Sequence, residues 1–173
     1  MEKRILFDTS VYGQLVIDKE FTALLLEKKK NIELVFYGNS VIRNELRATP
    51  KNATLLKRKL RTYLLETYDS LVTKEKHNLK VSFFVEQLGG MYYEEYRNNG
   101  GIVAANHILN DFFIVACASI YQMDIVVSGD KKTFLNSNAI KAYRLVNQKQ
   151  GFRNPIYLEY SLFRTQLIKR CDI

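Results

Sequence analysis

The stretch Asn110–Phe134, NDFFIVACASIYQMDIVVSGDKKTF, decides how this chain folds. Its first apolar run, with the small residues of VACAS inside it, has the length of a buried helix. After the break at YQMD, the β-branched IVV reads as a strand. One carboxylate, Asp111, opens the helix, and another, Asp130, closes the strand. Charge at both ends of a core-forming pair needs a reason, because a buried carboxylate is costly unless something answers it.

Working outward, RILF before Asp8 is a short strand, and IELVFYG is a second one rich in β-favouring residues. Between them Asp8, Thr9 and Ser10 are each suited to cap a helix start, and FTALLLEKKKN reads as helix with a cationic last turn. NSVIRNELRATP is a short helix, with Asn39 or Ser40 as cap and Pro50 as stop. From Lys51 to Asn99 the pattern is helical almost throughout. Leu55, Leu56, Leu60, Tyr63 and Leu64 fall at helical spacing, and Gly89–Gly90 interrupts a second helix. A helix through FLNSNAIKAYRLVN follows, then a short edge strand and a last helix in NPIYLEYSLFRTQLIKR. Strands alternating with helices predict an α/β fold with a mostly parallel sheet and helices on both faces. In such folds the site lies outside the carboxyl ends of the strands, where Asp8 and Asp130 should project.

The totals bound the function. A chain of 173 residues, 47% hydrophobic and 25% charged, is expected to form a single domain over 1–173 without disulfide or metal staples. No apolar segment approaches the roughly 18 residues of a membrane span, and MEKRILFDTS lacks a signal-peptide core. Cys117 and Cys171 form neither a disulfide framework nor a CxxC site. A cytoplasmic protein is expected. The net charge of +8 points to nucleic acid, an anionic membrane or an acidic protein as partner. EKKK at 27–30, KRKLR at 57–61 and the KRC near the end contribute to it.

One further position completes an acidic set. Glu45 lies four residues after Val41 and three after Ile42, on the same helix face as those apolar residues. Any one of Asp8, Asp111 and Asp130 alone reads as a cap, and Glu45 alone as a core ion pair. Together they are carboxylates that would raise one another's pKa unless a cation holds them ionised. Oxygen ligands without organised His or Cys suit a hard ion, Mg²⁺ or Mn²⁺.

The segments ILFDTSVYG, NSVIRNEL and NDFFIVACASIYQMDIVVSGDKKTF resemble the successive motifs of PIN-domain proteins. The resemblance implies a PIN-like three-layer fold, with a mostly parallel central sheet flanked by helices. It implies metal ligation and catalysis by Asp8, Glu45, Asp111 and Asp130, with Ser10 and Ser128 as supporting polar residues. At Thr133 the chain departs from the pattern, since many members carry another acid before the residue matching Phe134. The implied activity is Mg²⁺- or Mn²⁺-dependent endoribonuclease action on RNA phosphodiester bonds. The implied partners are a small antitoxin protein and a second copy of the chain, as in the toxins of toxin–antitoxin pairs. Lys131, Lys132 and Tyr12 are candidate RNA contacts, the lysines for phosphate and the tyrosine for base stacking; solvated turn lysines and a packing tyrosine are the alternative reading.

Two other readings stand beside it. One is a PIN-like nucleic-acid or protein binding module with weak catalysis, for which Thr133 leaves room. The other, an aspartate phosphotransferase, fits poorly because DTS puts Ser10 where that chemistry has a second acid. His107, read as a loop residue before the helix, and His77 carry little weight as general bases.

Overall fold

The computed structural model describes residues 2–73 and 75–169. Cys171 and the KRC cluster that contains it therefore extend beyond the described residues. Strand β1 (Lys3–Phe7) runs into helix α1 (Thr9–Leu15), with Asp8 as N-cap. Helix α2 (Lys19–Lys30) starts on the Asp18 carboxylate and ends on three lysines, each at the end that the helix dipole favours. Strand β2 (Leu34–Asn39) leads directly into α3 (Ser40–Ala48), whose Ile42 N–H donates to the Asn39 side chain at 3.0 Å.

The segment expected to be helical from 51 to 99 differs. It opens with a two-stranded ribbon, β3 (Thr54–Leu55) and β4 (Arg58–Lys59), so Leu55 and Leu56 belong to a hairpin rather than to a helical stripe. Helix α4 (Leu60–Leu71) follows, then a turn of 3₁₀ helix and the short strand β5 (Asn78–Leu79). Helix α5 (Phe83–Asn98) runs straight through Gly89–Gly90. A Cβ at Gly89 would sit 2.4 Å from the Phe113 ring, so the glycine lets α5 lie close against the next helix instead of breaking it.

That next helix, α6 (Ala105–Ile120), begins six residues before Asp111. Asp111 is thus in its second turn and cannot cap it, and His107 is a helical residue of the first turn. Helix formation extends upstream because Ile108 packs into the core and prolongs the apolar face. Strand β6 (Ile125–Ser128), helix α7 (Ser137–Gln150), strand β7 (Ile156–Glu159) and helix α8 (Tyr160–Lys169) complete the order. Gly151 ends α7 in the left-handed region at φ 73°, with Phe152 N–H returning to Asn147 O at 2.8 Å.

The main sheet is five-stranded and parallel, in the order β5-β2-β1-β6-β7. β7 is an edge strand, as the sequence predicts. The chain steps from β1 to β2 on one side and later returns to β6 on the other, which makes the β1/β6 boundary the topological switch point. Helices cover the sheet in the three-layer arrangement expected. Phe7 of β1 meets Tyr12 of α1 and Phe163 of α8, with ring centroids 6.2 and 5.6 Å apart. In a second helical group, Phe112 of α6 packs on Tyr92 and Tyr96 of α5 and on Tyr143 of α7. The buried apolar residues of both groups form one continuous core with the sheet. Helix α5 leaves Phe83, Phe84 and Met91 exposed, at 67, 71 and 42%. Among the described residues no helix is long and apolar enough to cross a membrane.

Candidate active site

The pairing of β1 with β6 sets Phe7 against Val127, so the next residues of each strand, Asp8 and Ser128, come side by side. Asp8 N–H donates to Val127 O at 2.9 Å and fixes the backbone there. The Asp8 carboxylate, 4% exposed, is held by many donors. Thr9 N–H reaches Oδ1 at 2.7 Å, and the hydroxyls of Ser10 and Ser128 reach Oδ2 at 2.6 and 2.8 Å. Each serine is also fixed from behind: Gly129 N–H donates to Ser10 Oγ at 2.8 Å and Asp130 N–H to Ser128 Oγ at 2.9 Å. Asp8 is therefore a helix cap and a site residue at once. Burial raises its pKa despite the hydrogen bonds that oppose the shift.

Asp130 lies two residues past β6 and accepts from the backbone N–H groups of Lys132 and Thr133 at 2.7 and 3.0 Å. Burial would push its pKa up, but the Thr133 hydroxyl, these N–H groups and the nearby Lys132 charge outweigh it and lower the value. Asp111 faces it from α6. Burial, then the charge of Asp8 and more weakly those of Asp130 and Glu45, pushes the Asp111 carboxyl up to about 8.

Thr133 sits between the two acids. Its Oγ1 is 2.8 Å from Asp111 Oδ2 and 2.5 Å from Asp130 Oδ2. A hydroxyl carries one proton and cannot donate to two carboxylates together. The arrangement closes when Asp111 is protonated and donates to Thr133, which donates in turn to Asp130.

Glu45 is half-buried rather than on the fully buried stripe; Ile42 and Leu46 occupy that face of α3. Thr9 donates its hydroxyl to Glu45 Oε2, and Asn110 Nδ2 donates to Oε1 at 2.6 Å. Thr9 and Asn110 are site residues that the sequence reading passes over. Each stands beside a predicted carboxylate, and only the approach of α1, α3 and α6 brings them to Glu45.

All four predicted carboxylates thus share one charged neighbourhood, along with Ser10, Ser128 and Thr133. None has an ion-pair partner among the described residues. As they stand, no three His, Cys, Asp or Glu side chains among the described residues are grouped closely enough to hold a metal ion. The reason is visible in the hydrogen bonds. Thr133 occupies the space between Asp111 and Asp130, while Thr9 and Asn110 engage both oxygens of Glu45. The donor set itself, carboxylate oxygens without histidine or thiolate, fits a hard divalent cation.

The candidate RNA contacts separate. Tyr12 is fully buried, packed on Phe7 and Tyr68, and cannot stack on a base. Four residues after the Asp8 cap, it lies on the buried face of α1 with Val11 and Leu15. Lys131 Nζ is 2.8 Å from Glu159 Oε2 of β7, an exposed pair that already answers its charge. Lys132 remains an exposed cation beside Asp130.

No family model matches the sequence, and no curated protein does either. Solved structures match the fold. A chain of VapBC2 from Rickettsia felis, bound to a promoter DNA fragment, aligns with a TM-score of 0.56 at 14% identity, over 91% of this chain and 98% of that one. DNA-bound VapBC from Salmonella typhimurium gives 0.56 at 15% identity, over 92% and 98%. The fold is PIN-like. FitAcB from Neisseria gonorrhoeae aligns at 0.52 with 18% identity, over 89% of this chain and 96% of that chain. The PIN-like frame thus spans nearly the whole chain, including the 51–99 region whose motifs are weakest.

Proposed function

We propose that this protein is a Mg²⁺- or Mn²⁺-dependent endoribonuclease that hydrolyses RNA phosphodiester bonds. The observation that carries the reading is the charge imbalance at the β1/β6 switch point. Four carboxylates gather there without an ion pair among the described residues, and Asp111 is pushed up to about 8. Asp8, Asp111, Asp130 and Glu45 are the residues that would hold the ion. A bound divalent cation would keep them ionised, activate water and neutralise charge on the phosphoryl oxygens.

The chain's own groups have separate tasks in this reading. Ser10 and Ser128 fix the orientation of Asp8, and Thr9 and Asn110 do the same for Glu45. Thr133 bridges Asp111 and Asp130 by hydrogen bonds and would give way where both acids turn to an ion. Lys132 offers a positive charge to phosphate at the rim.

We further propose that the enzyme is a toxin restrained by a small antitoxin and works in the cytoplasm, where its RNA substrate is. The likeness to chains from VapBC and FitAcB complexes supports a protein partner. So do the exposed Phe83, Phe84 and Met91 on α5, because gathered apolar side chains mark contact surfaces.

The test compares RNA cleavage by the intact chain and by Asp111→Asn, each with Mn²⁺, with Mg²⁺ and with chelator. Metal-dependent cleavage that disappears in the folded variant supports the enzyme. The placing of Thr133 between Asp111 and Asp130, with no ready three-carboxylate group among the described residues, favours a second reading, a binding module with weak catalysis. That reading gains if calorimetry finds no Mn²⁺ binding and neither protein cleaves.

A further inference from the structure

The ribbon that interrupts the expected helix at 51–59 has a function of its own to account for. Its two strands pair Thr54 with Lys59 and Leu55 with Arg58, leaving Leu56 and Lys57 as a two-residue turn. Both turn residues have positive φ, 49° and 66°. That is the turn geometry in which Asn-Gly or Gly-Gly is strongly preferred, because side chains strain the left-handed region. Here the tip carries an apolar and a cationic side chain instead, and both are exposed, Leu56 at 68%.

The ribbon is also braced. Leu60 N–H donates to Ala53 O at 2.9 Å and Arg61 Nε to Thr49 O at 2.9 Å. Arg58 pairs with Glu66 at 2.6 Å and lies 4.6 Å over the Tyr63 ring, which ties the ribbon to α4. Between Glu45 and Glu66 the chain has six cations, Arg47, Lys51, Lys57, Arg58, Lys59 and Arg61, and no acid. Arg47, Lys51, Lys57 and Lys59 are exposed and have no ion pair among the described residues. This one segment supplies a large part of the chain's net charge of +8.

We infer that the β3–β4 ribbon is a docking element for the phosphate backbone of single-stranded RNA. It takes its ligand from the ribonuclease reading. The catalytic acids repel phosphate, so substrate must be gathered by cations placed elsewhere. The ribbon follows α3, the helix that carries Glu45, by five residues. Its lysines are held on a braced frame, so little order is lost when phosphates bind them. The strained tip is accounted for because Lys57 and Leu56 reach the ligand, the lysine to phosphate and the leucine to sugar or base faces.

The experiment measures binding of a labelled single-stranded RNA by fluorescence anisotropy over a range of salt, with chelator present so that no cleavage occurs. Lys57→Gln/Lys59→Gln should weaken binding and lower the slope of log K against log salt by about 1.4, two contacts at roughly 0.7 each. Leu56→Asn/Lys57→Gly installs the preferred turn, so melting should be unchanged or raised while affinity falls severalfold. Lys19→Gln/Lys30→Gln, the same charge change on α2, should leave the slope within error. The proposal is overturned if both ribbon variants bind like the intact chain, or if the α2 variant loses as much. Cleavage with Mn²⁺ is scored separately. An intact chain that binds through the ribbon but never cleaves refutes the nuclease and leaves the ribbon standing.

Discussion

Two polar clusters lie inside this protein, and they are built on opposite terms. In the helical layer, Tyr92, Ser119, Asn147 and Asn154 form a neutral network. Tyr92 donates to Asn147 Oδ1 at 2.5 Å, and Asn147 Nδ2 donates to Ser119 and Asn154, both at 2.9 Å. Every member is neutral, and each is paired within the cluster. At the switch point, Asp8, Glu45, Asp111 and Asp130 are acceptors that crowd on one another, and the hydroxyls and amides around them cannot supply a positive charge. A closed polar network ties elements together; an open one is short of the ion or substrate that would complete it. The difference sets a cluster that closes on itself apart from the candidate site.

The sharpest way to break the comparison is to remove one member from each cluster. Asp111→Asn should lower metal-dependent RNA cleavage by about a hundredfold or more, the scale of a lost catalytic group. The fold should survive, since the amide stands in for the protonated carboxyl and still hydrogen-bonds Thr133. Asn147→Ala should do the reverse. It leaves the Tyr92 hydroxyl only its longer bond to Ser119 and removes the amide that donates to Ser119, and should cost about 2 kcal/mol in denaturant unfolding. Activity per folded molecule should hold. If Asn147→Ala silences cleavage at full stability, the division between the clusters is wrong.

The open cluster should also declare itself through pH. Asp111 has a folded pKa of about 8 against an ordinary 3.8, so the folded state holds a proton that the unfolded chain has released. Its contribution to stability is then full below about pH 4 and is lost as pH rises through 8. Melting temperature should fall over that window in chelator, and the fall should be blunted in Asp111→Asn. Mn²⁺ added at pH 8 should raise the melting temperature of the intact chain more than that of the variant. Equal pH dependence in the two proteins would take the unanswered charge away from Asp111.

Much of this was legible in the sequence, for physical reasons. Asp8 and Asp130 follow apolar strands, and a parallel sheet brings strand ends to one edge whatever the loops do. Asp111 was legible as a carboxylate on an apolar helix, though its position was misread as the start because the upstream NHIL turn looks polar. Thr9 and Asn110 were not legible, since their partner is 36 and 65 residues away and depends on how three helices pack. The ribbon at 54–59 was hidden because its leucines fall at helical spacing, while its turn uses residues that ordinarily avoid positive φ. Of the two roles open to Tyr12, packing and base stacking, burial at 0% exposure selects packing.

The groups that hold Glu45 should show a smaller effect than the acids themselves. Thr9→Val and Asn110→Ala each remove one donor while leaving all four carboxylates. Loss of such an orienting partner typically costs about 10- to 100-fold in metal affinity or activity. Thr9→Ser, which restores the hydroxyl, should recover most of it. A Thr9→Val protein with unchanged Mn²⁺ titration would show that Glu45 needs no orientation.

The smallest expected effect tests a flaw that belongs to neither cluster. The Tyr12 hydroxyl is buried beneath the site and has no hydrogen-bond partner among the described residues, while burial and the neighbouring Tyr68, Asp8 and Asp69 all disfavour its ionisation. An unsatisfied buried hydroxyl costs roughly 1–3 kcal/mol. Tyr12→Phe removes it with the ring packing on Phe7 and Tyr68 intact, so the variant should be more stable by about 1 kcal/mol, with cleavage unchanged. A loss of stability instead would mean that the hydroxyl has a partner in solution. Tyr12 would then belong to the polar shell around Asp8, and the open cluster would extend one residue further into the core.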